Sequence, residues 1–315
     1  MNTKIVYVTG CLGFMGFYIA RRCLEQGWHV MGVDKMTYAA NPDLLERLQS
    51  YPKFKFIKQD IADLDHLYDC DYVINTAAES HVDNSIMSSD AFVRSNVSGV
   101  HNLLTLIRSK SLFNMPTLIH FSTDEVYGDI EKGSHSEKDL LKPSNPYSAT
   151  KAAGDMLILA WHRTYGVPFN MVRPTNNYGI GQYPEKLVPK TCKFLQLGRK
   201  IPLHNGGKPR RTWLHAKDTA NAVLAIINSG VQNEIFNISG NYEDSNLTVV
   251  KKILKAAGKD GDIEQYVDFG FSREGQDVRY SIDDTKLRKL GWDNEKNFDE
   301  EIGKIVKYYT SNFIW

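Results

Sequence analysis

The chain has 315 residues, with 38 Lys and Arg against 37 Asp and Glu and a formal net charge of +1, so no global field directs it to nucleic acid or to an anionic membrane. Hydrophobic residues make up 42% and charged residues 24%, a globular balance that excludes a disordered chain. The length suits one large α/β unit or a nucleotide-binding half with a smaller partner, and needs no disulfides. Cys11, Cys23, Cys70 and Cys192 form no Cys-x-x-Cys pair, so neither a zinc knuckle nor a thioredoxin-type site is expected. No stretch approaches the ~18 apolar residues of a membrane span. The opening residues run directly into an apolar segment, with no room for a signal peptide ahead of it, and the expected location is the cytoplasm.

Ile5-Val6-Tyr7-Val8 reads as a first strand, followed by a glycine-rich turn and a helix that Gly27 stops. Trp28 to Val33, Phe54 to Ile57, Tyr72 to Asn75, Leu118 to Phe121 and Pro168 to Arg173 read as five more strands. Helical stripes run from about Ala91 to Ser109 and from Tyr147 to Thr164. Near-continuous apolar strands alternating with helices predict a doubly wound parallel sheet covered on both faces, the α/β Rossmann type. Beyond about Pro174 the rhythm loosens into helices near Leu187–Leu197, Asp218–Asn228 and Val249–Ala257 and a closing tail from Leu287 to Tyr309. The expected division is a cofactor domain over 1–175 and a smaller α/β substrate domain over 176–315, with a strand and helix near 212–240 able to return to the first sheet. No internal repeat or low-complexity segment is evident.

Gly10-Cys11-Leu12-Gly13-Phe14-Met15-Gly16 lies between the first strand and its helix. The first glycine allows the tight turn, the second lets backbone approach a pyrophosphate, and the third lets helix and strand pack closely. Asp34, 18 residues after Gly16, ends the second strand where a carboxylate bonds ribose hydroxyls and repels a 2′-phosphate. NAD is therefore expected over NADP, tempered by Lys35. Asp60, ending the third strand, is a candidate for the adenine amino group.

Tyr147 and Lys151 stand four apart on one helix face. Lys151 is expected to lower the phenol's pKa and hold the nicotinamide ribose, leaving Tyr147 to act as base toward a hydroxyl. With the dinucleotide fingerprint, this pair resembles the extended short-chain dehydrogenase/reductase superfamily. Ser122-Thr123-Asp124-Glu125 follows the fifth strand and delivers two adjacent carboxyls to the cofactor crevice. Simple alcohol oxidation needs only a hydroxyl donor there; two carboxyls imply a second proton transfer, as in elimination of water.

Thr123-Asp124-Glu125 with Tyr147 and Lys151 is similar to the catalytic set of nucleoside-diphosphate-glucose 4,6-dehydratases. Ala77-Ala78-Glu79-Ser80-His81-Val82-Asp83, Asp34-Lys35-Met36-Thr37-Tyr38-Ala39, Asn176-Asn177-Tyr178-Gly179, Pro184-Glu185-Lys186-Leu187-Val188-Pro189, Arg211-x-Trp213-Leu214 and Leu290-Gly291-Trp292 extend the resemblance nearly end to end. The resemblance implies NAD retained through the cycle, Tyr147 as base at the sugar 4-hydroxyl, Thr123 orienting that hydroxyl, Glu125 removing the C5 proton and Asp124 protonating the departing C6 hydroxyl. It places Ile61, Ala77, Ala78, Ser80 and Ser95 with the cofactor. It places His81, Thr123, Asn177, Glu185, Lys186, Leu187, Pro202, His204, Arg211, Asn246 and Arg273 with the sugar nucleotide. It also implies a homodimer through a four-helix bundle built from the helices at about 91–109 and 147–164.

Three positions depart from the family where it holds the nucleotide: His204 for a usual tyrosine, Tyr242 for an asparagine and Gln276 for a histidine. The linker 129–145 is also short. The sugar chemistry is expected and the nucleotide is left open between dTDP, UDP and others. The alternatives are a UDP-glucuronate decarboxylase or a 4-epimerase, neither of which needs Asp124 beside Glu125, and a non-catalytic NAD-binding regulator. Arg211 and Arg273 are diphosphate ligands or, alternatively, solvated surface arginines. The nine histidines show no metal spacing, and no metal is expected.

Overall fold

The computed structural model describes residues 3–272 and 277–312. The chain opens β1 (Ile5–Thr9), α1 (Phe14–Glu25), β2 (His29–Asp34), α2 (Pro42–Gln49), β3 (Phe54–Lys58) and β4 (Tyr72–Asn75). It continues with α3 (Val82–Met87), α4 (Asp90–Val93), α5 (Gly99–Arg108), β5 (Thr117–Phe121), α6 (Pro146–Tyr165) and β6 (Phe169–Pro174). The remainder is β7 (Asn176–Tyr178), α7 (Leu187–Gln196), β8 (Ile201–Pro202), β9 (Arg210–His215), α8 (Ala216–Ser229), β10 (Glu234–Ile238), β11 (Tyr242–Ser245), α9 (Asn246–Ala256), β12 (Val267–Asp268), α10 (Thr285–Arg288) and α11 (Phe298–Ser311).

Seven strands form one sheet in the order β10-β6-β5-β4-β1-β2-β3, and each neighbouring pair is parallel. This is the Rossmann order, and its reversal between β1 and β4 opens a crevice at the strands' C-terminal ends. One face of the sheet carries α1 and α8 over a core that includes Val8, Ile19, Leu24, Val223 and Ile227. The other carries α5 and α6 over Leu103, Ile107, Leu118 and Ile158. Two later elements also belong to this sheet's layers: β10 pairs with β6 and α8 packs beside α1.

The smaller lobe holds the sheet β11-β9-β7 and the pair β12-β8, with α7, α9 and α11 around Val188, Trp213, Ile253 and Ile305. Helix α2 was not anticipated. Only Leu44 and Leu48 of its eight residues are buried, too short a stripe to stand out, whereas its start is marked by the Asn41 side chain capping Asp43 N–H with Pro42 at the first turn. The stripe expected over 91–109 is a helix interrupted by a π-helical segment, Arg94–Ser98. Helix α6 begins in a reciprocal cap between Asn145 and Ser148 and ends on left-handed Gly166.

Candidate active site

Three adjoining cavities lie along the C-terminal ends of the sheet and into the gap below the smaller lobe. The first is lined by Gly10, Gly13, Asp34, Lys35, Asp60, Ile61, Ala77, Ala78 and Ser95, among others. Gly10 sits at φ +70°, and a Cβ there would lie 2.8 Å from the backbone of Ala77. A Cβ on Gly16 would lie 2.0 Å from the Gly10 carbonyl oxygen. Gly13 N–H returns to that carbonyl at 3.0 Å. The turn therefore brings the N-terminus of α1 bare of side chains to the crevice, a ready anion site.

Asp34 is buried. It accepts Leu12 N–H through Oδ2 at 2.9 Å and Met36 N–H through Oδ1 at 2.7 Å. Burial pushes its carboxyl up, and the two backbone donors oppose that. Held this way, the carboxylate keeps lone pairs for ribose hydroxyls. Lys35, a sequence argument for NADP, is already engaged: its ammonium donates to Ser95 Oγ at 2.9 Å and stands 3.5 Å from Asp60 and 3.7 Å from Glu79. The residues present fit a dinucleotide with an unphosphorylated adenine ribose.

The second cavity is shared by the glycine turn, including Phe14, Met15 and Gly16, and by Ser80, Thr123, Asp124, Glu125, Tyr147 and Lys151. Thr123, two residues past the end of β5, caps a short 3₁₀ turn, Asp124–Tyr127, that presents both carboxyls. The Thr123 hydroxyl donates to Asp124 Oδ1 at 3.2 Å and hydrogen-bonds the Tyr147 phenol. Asp124 Oδ2 is buried with no hydrogen-bond partner among the described residues. Burial first, then the charge of Glu125, push the Asp124 carboxyl up to about 7, against the pull of Arg211. Glu125 is also pushed up by burial, opposed by Arg211 and Lys186. One acid that keeps its proton beside a carboxyl held by cations is the arrangement an elimination needs.

Tyr147 is held well above its ordinary range by burial and by Glu125. Lys151, expected to lower it, instead donates its ammonium to the Phe121 carbonyl. Burial pulls Lys151 down to about 8, and the Asp155 carboxylate opposes that. The backbone oxygen at the end of β5 is the acceptor within reach of that ammonium.

Asp155, one helical turn beyond Lys151, went unrecognised in the sequence. Its Oδ2 accepts the Ser122 hydroxyl at 2.9 Å and Arg173 Nη2 at 2.9 Å, and its Oδ1 lies 3.9 Å from His120 Nε2. The chain of contacts crosses the sheet. Thr9 donates to Asn75 Oδ1 at 2.6 Å, Asn75 meets His120 Nδ1 at 3.1 Å, and Arg173 reaches the Tyr127 hydroxyl, which donates to Asn237 at 2.8 Å. β1, β4, β5, β6 and β10 thus each place one polar side chain in a buried ladder under the crevice. The same alternation that marks a strand as apolar hides these single polar residues.

The third cavity runs under the smaller lobe. It is lined by His81, Glu125, Asn177, Glu185, Lys186, Leu187, Pro202, His204, Arg211 and Asn246, joined by Asn145, Lys190, Trp213, Asp277 and Tyr280. Every candidate site residue thus lines one of three joined cavities except Arg273, which with Gln276 lies outside the described residues. Arg211 is buried, which removes the alternative of a solvated surface arginine. His204 lines the cavity, with Nε2 3.9 Å from Asp83 and its ring edge-on to Phe271. Tyr242 is a correction: its ring stacks on Phe298 at 4.3 Å in the lobe's core and does not line the cavity, because β11 turns that face toward α11. Asn145, Asp277 and Tyr280 were missed; they come from a helix cap and a loop without local signatures. Among the described residues no group of three His, Cys, Asp or Glu is placed to hold a metal ion.

A parallel sheet with a glycine-lined crevice and a buried Tyr–Lys pair on one helix defines an extended short-chain dehydrogenase/reductase. Residues 7–305 match the model of the family described as GDP-mannose 4,6 dehydratase, and the chain belongs to that family. It is 37% identical over 321 residues to the dTDP-glucose 4,6-dehydratase of Streptomyces niveus, covering 98% of this chain and 94% of that one. It is also 37% identical over 325 residues to a trifunctional UDP-glucose 4,6-dehydratase of Arabidopsis thaliana, covering 99% of this chain and 48% of that longer protein. The structure superposes on DesIV, a dTDP-glucose 4,6-dehydratase from Streptomyces venezuelae crystallised with NAD and TYD bound, with a TM-score of 0.92 and 34% identity over 98% of this chain and 97% of that one.

Proposed function

We propose that this protein is an NAD-dependent hydro-lyase that converts a nucleoside-diphosphate hexose of the glucose type to its 4-keto-6-deoxy product. The observation that carries the reading is the adjacent pair of buried Asp124 and half-buried Glu125 beside Tyr147; relatives named as dTDP- and UDP-glucose 4,6-dehydratases support it. Gly10, Gly13, Gly16, Asp34 and Asp60 would hold NAD, which when bound supplies the acceptor and donor of the hydride. Tyr147 takes the proton of the sugar 4-hydroxyl, and the Thr123 hydroxyl orients that group. The ketone at C4 acidifies C5, whose proton passes to Glu125. Asp124, whose carboxyl burial holds up to about 7, gives its proton to the C6 hydroxyl, and water leaves. Arg211 and Lys186, which border both the sugar site and the carboxyls, offer the positive charge a diphosphate needs.

In the same reading, residues 1–175 with β10 and α8 form the cofactor domain and 176–315 mainly the sugar-nucleotide domain. A homodimer through α4–α5 and α6 is supported by exposed Val93 and Met156 on those helices and by Met87 beside them, 85% exposed; sedimentation showing only monomer at micromolar concentration overturns it. A cytoplasmic location is supported by four free cysteines, and no described helix is long and apolar enough to cross a membrane. The deciding experiment incubates the NAD-loaded protein with dTDP-glucose and with UDP-glucose and reads the ultraviolet absorbance of a 4-keto product in alkali. Product from either supports the reading and selects the nucleotide; epimer or pentose instead of 4-keto product overturns it.

A further inference from the structure

In the 4,6-dehydration reading Glu125 takes its proton while a sugar nucleotide fills the cavities it lines. Its Oε2 nevertheless faces a second polar path. It lies 3.4 Å from the Tyr280 hydroxyl and 3.5 Å from Asn145 Nδ2. The Tyr280 hydroxyl also meets Asp277 Oδ2, and that same oxygen accepts the hydroxyl of Ser144. Tyr280 is 3% and Asp277 7% exposed, whereas Ser144 is exposed to solvent. Arg211 lies over the Tyr280 ring at 4.3 Å and donates to the Asp277 carbonyl at 3.2 Å, which fixes ring and acceptor relative to each other.

Two carboxyl groups converge on one phenol, and a phenol has one proton to donate. Both contacts can be hydrogen bonds only when one of the carboxyls is itself protonated. That condition is met once Glu125 has taken a proton: Glu125 then donates to the phenol oxygen, and the phenol donates to Asp277. From this geometry we infer that Tyr280, with Asp277 and Ser144, is the path by which the proton that Glu125 takes from C5 exchanges with solvent. The inference rests on the 4,6-dehydration reading.

The step balances without a phenolate. The C5–H bond breaks and its proton joins Glu125. Glu125 passes it to the Tyr280 oxygen as the Tyr280 O–H bond breaks and that proton goes to Asp277. Asp277 passes a proton to the Ser144 oxygen while the Ser144 hydroxyl releases its own to water. Reversal brings a solvent proton back to Glu125 and then to C5. Burial and the neighbouring carboxyls hold the phenol well above its ordinary range, consistent with a group that gives a proton only as it receives one. Tyr280 touches no reacting atom in this scheme and is a positioning residue acting through Glu125.

The test is turnover of dTDP-glucose and UDP-glucose in D2O by the NAD-loaded wild type, Tyr280→Phe and Asp277→Asn, with the hydrogen isotopes at C5 and C6 of the product read by NMR. The wild type is expected to place deuterium at C5 and to keep the substrate's own C4 hydrogen at C6. In both variants the ratio of deuterium to protium at C5 is expected to fall about a hundredfold, the low end of what a positioned proton-transfer group contributes, because Glu125 returns the proton it took. A merely structural role would slow turnover and leave that ratio at the wild-type value. Ser144→Ala, at an exposed position, reads the same path if either buried variant fails to fold. Product from the variants with unchanged C5 deuterium, or wild-type product with protium at C5, overturns the relay alone. A wild type that makes no 4-keto product overturns the dehydration reading and the relay with it.

Discussion

At the scale of single residues, the role proposed for Asp124 comes with a cost in stability. Asp124→Asn keeps the shape and removes the acid, so 4-keto-6-deoxy product is expected to form about 10²–10⁴-fold more slowly, while C4 oxidation, read as NADH absorbance in a single turnover, persists. The same substitution acts on stability with a definite sign. The folded carboxyl is held up to about 7 against an ordinary value of 3.8. The folded state therefore holds a proton that the unfolded state has released, and stability falls as pH rises between those two values. Asp124→Asn removes that dependence. It is expected to match the wild type in denaturant melts near pH 4 and to exceed it at pH 8 by on the order of 2–4 kcal/mol. Equal stabilities at pH 8 would show that Asp124 does not ionise against burial. If Asp124 acts protonated, as proposed, the wild-type rate falls as pH rises through about 7.

At the scale of elements, helix α6 works as a unit with the strands beneath it. Tyr147, Lys151 and Asp155 follow at intervals of four, and the Asp155 carboxylate pairs with the Arg173 guanidinium on β6 at 2.9 Å and acts at longer range, through its charge, on the Lys151 ammonium. Two buried cations share one anion, and burial alone pulls Lys151 down toward neutrality. Asp155→Asn leaves both cations without a counter-charge, so a loss of about 3–5 kcal/mol is expected in chemical unfolding. It also moves the alkaline loss of activity to lower pH, because Lys151 then gives up its proton more easily. Asp155→Glu is expected to restore part of the pH profile; an unshifted profile in Asp155→Asn would leave Asp155 a packing role only. The π-helical segment has a definite use here. It delivers Asn96, whose amide accepts Glu79 N–H and donates to Thr150 at 3.0 Å each, tying the loop after β4 to α6.

At the scale of the whole molecule, the two lobes meet over the cofactor crevice through polar contacts. The Tyr38 hydroxyl, in the loop after β2, donates to Glu185 at 3.0 Å, and Asn84 donates to Tyr38 at 3.1 Å. Lys186 reaches the Ser80 carbonyl at 2.7 Å. These contacts strap the mouth of the crevice from both sides. Tyr38→Phe removes one charged hydrogen bond worth about 1.5–3 kcal/mol, so NAD is expected to leave roughly ten times faster or more in stopped-flow displacement. An unchanged rate would show that the strap does not retain the cofactor.

The glycine turn, Asp34, the Tyr–Lys pair and the carboxyl pair were legible in the sequence because each stands at a strand end or on one helix face, where local spacing sets position. The parallel strands were legible because burial on both faces makes them continuous apolar runs. Tyr280, Asp277, Asn145 and the ladder from Thr9 to Asn237 were not, because their meaning lies in neighbours 20 to 155 residues away in the chain, as where Tyr280 meets Glu125. The amino-acid sequence by itself determined which chemistry the chain carries. Only the tertiary structure decided how those groups are charged, since the shifts of Asp124, Glu125 and Lys151 arise from burial and from partners on other elements.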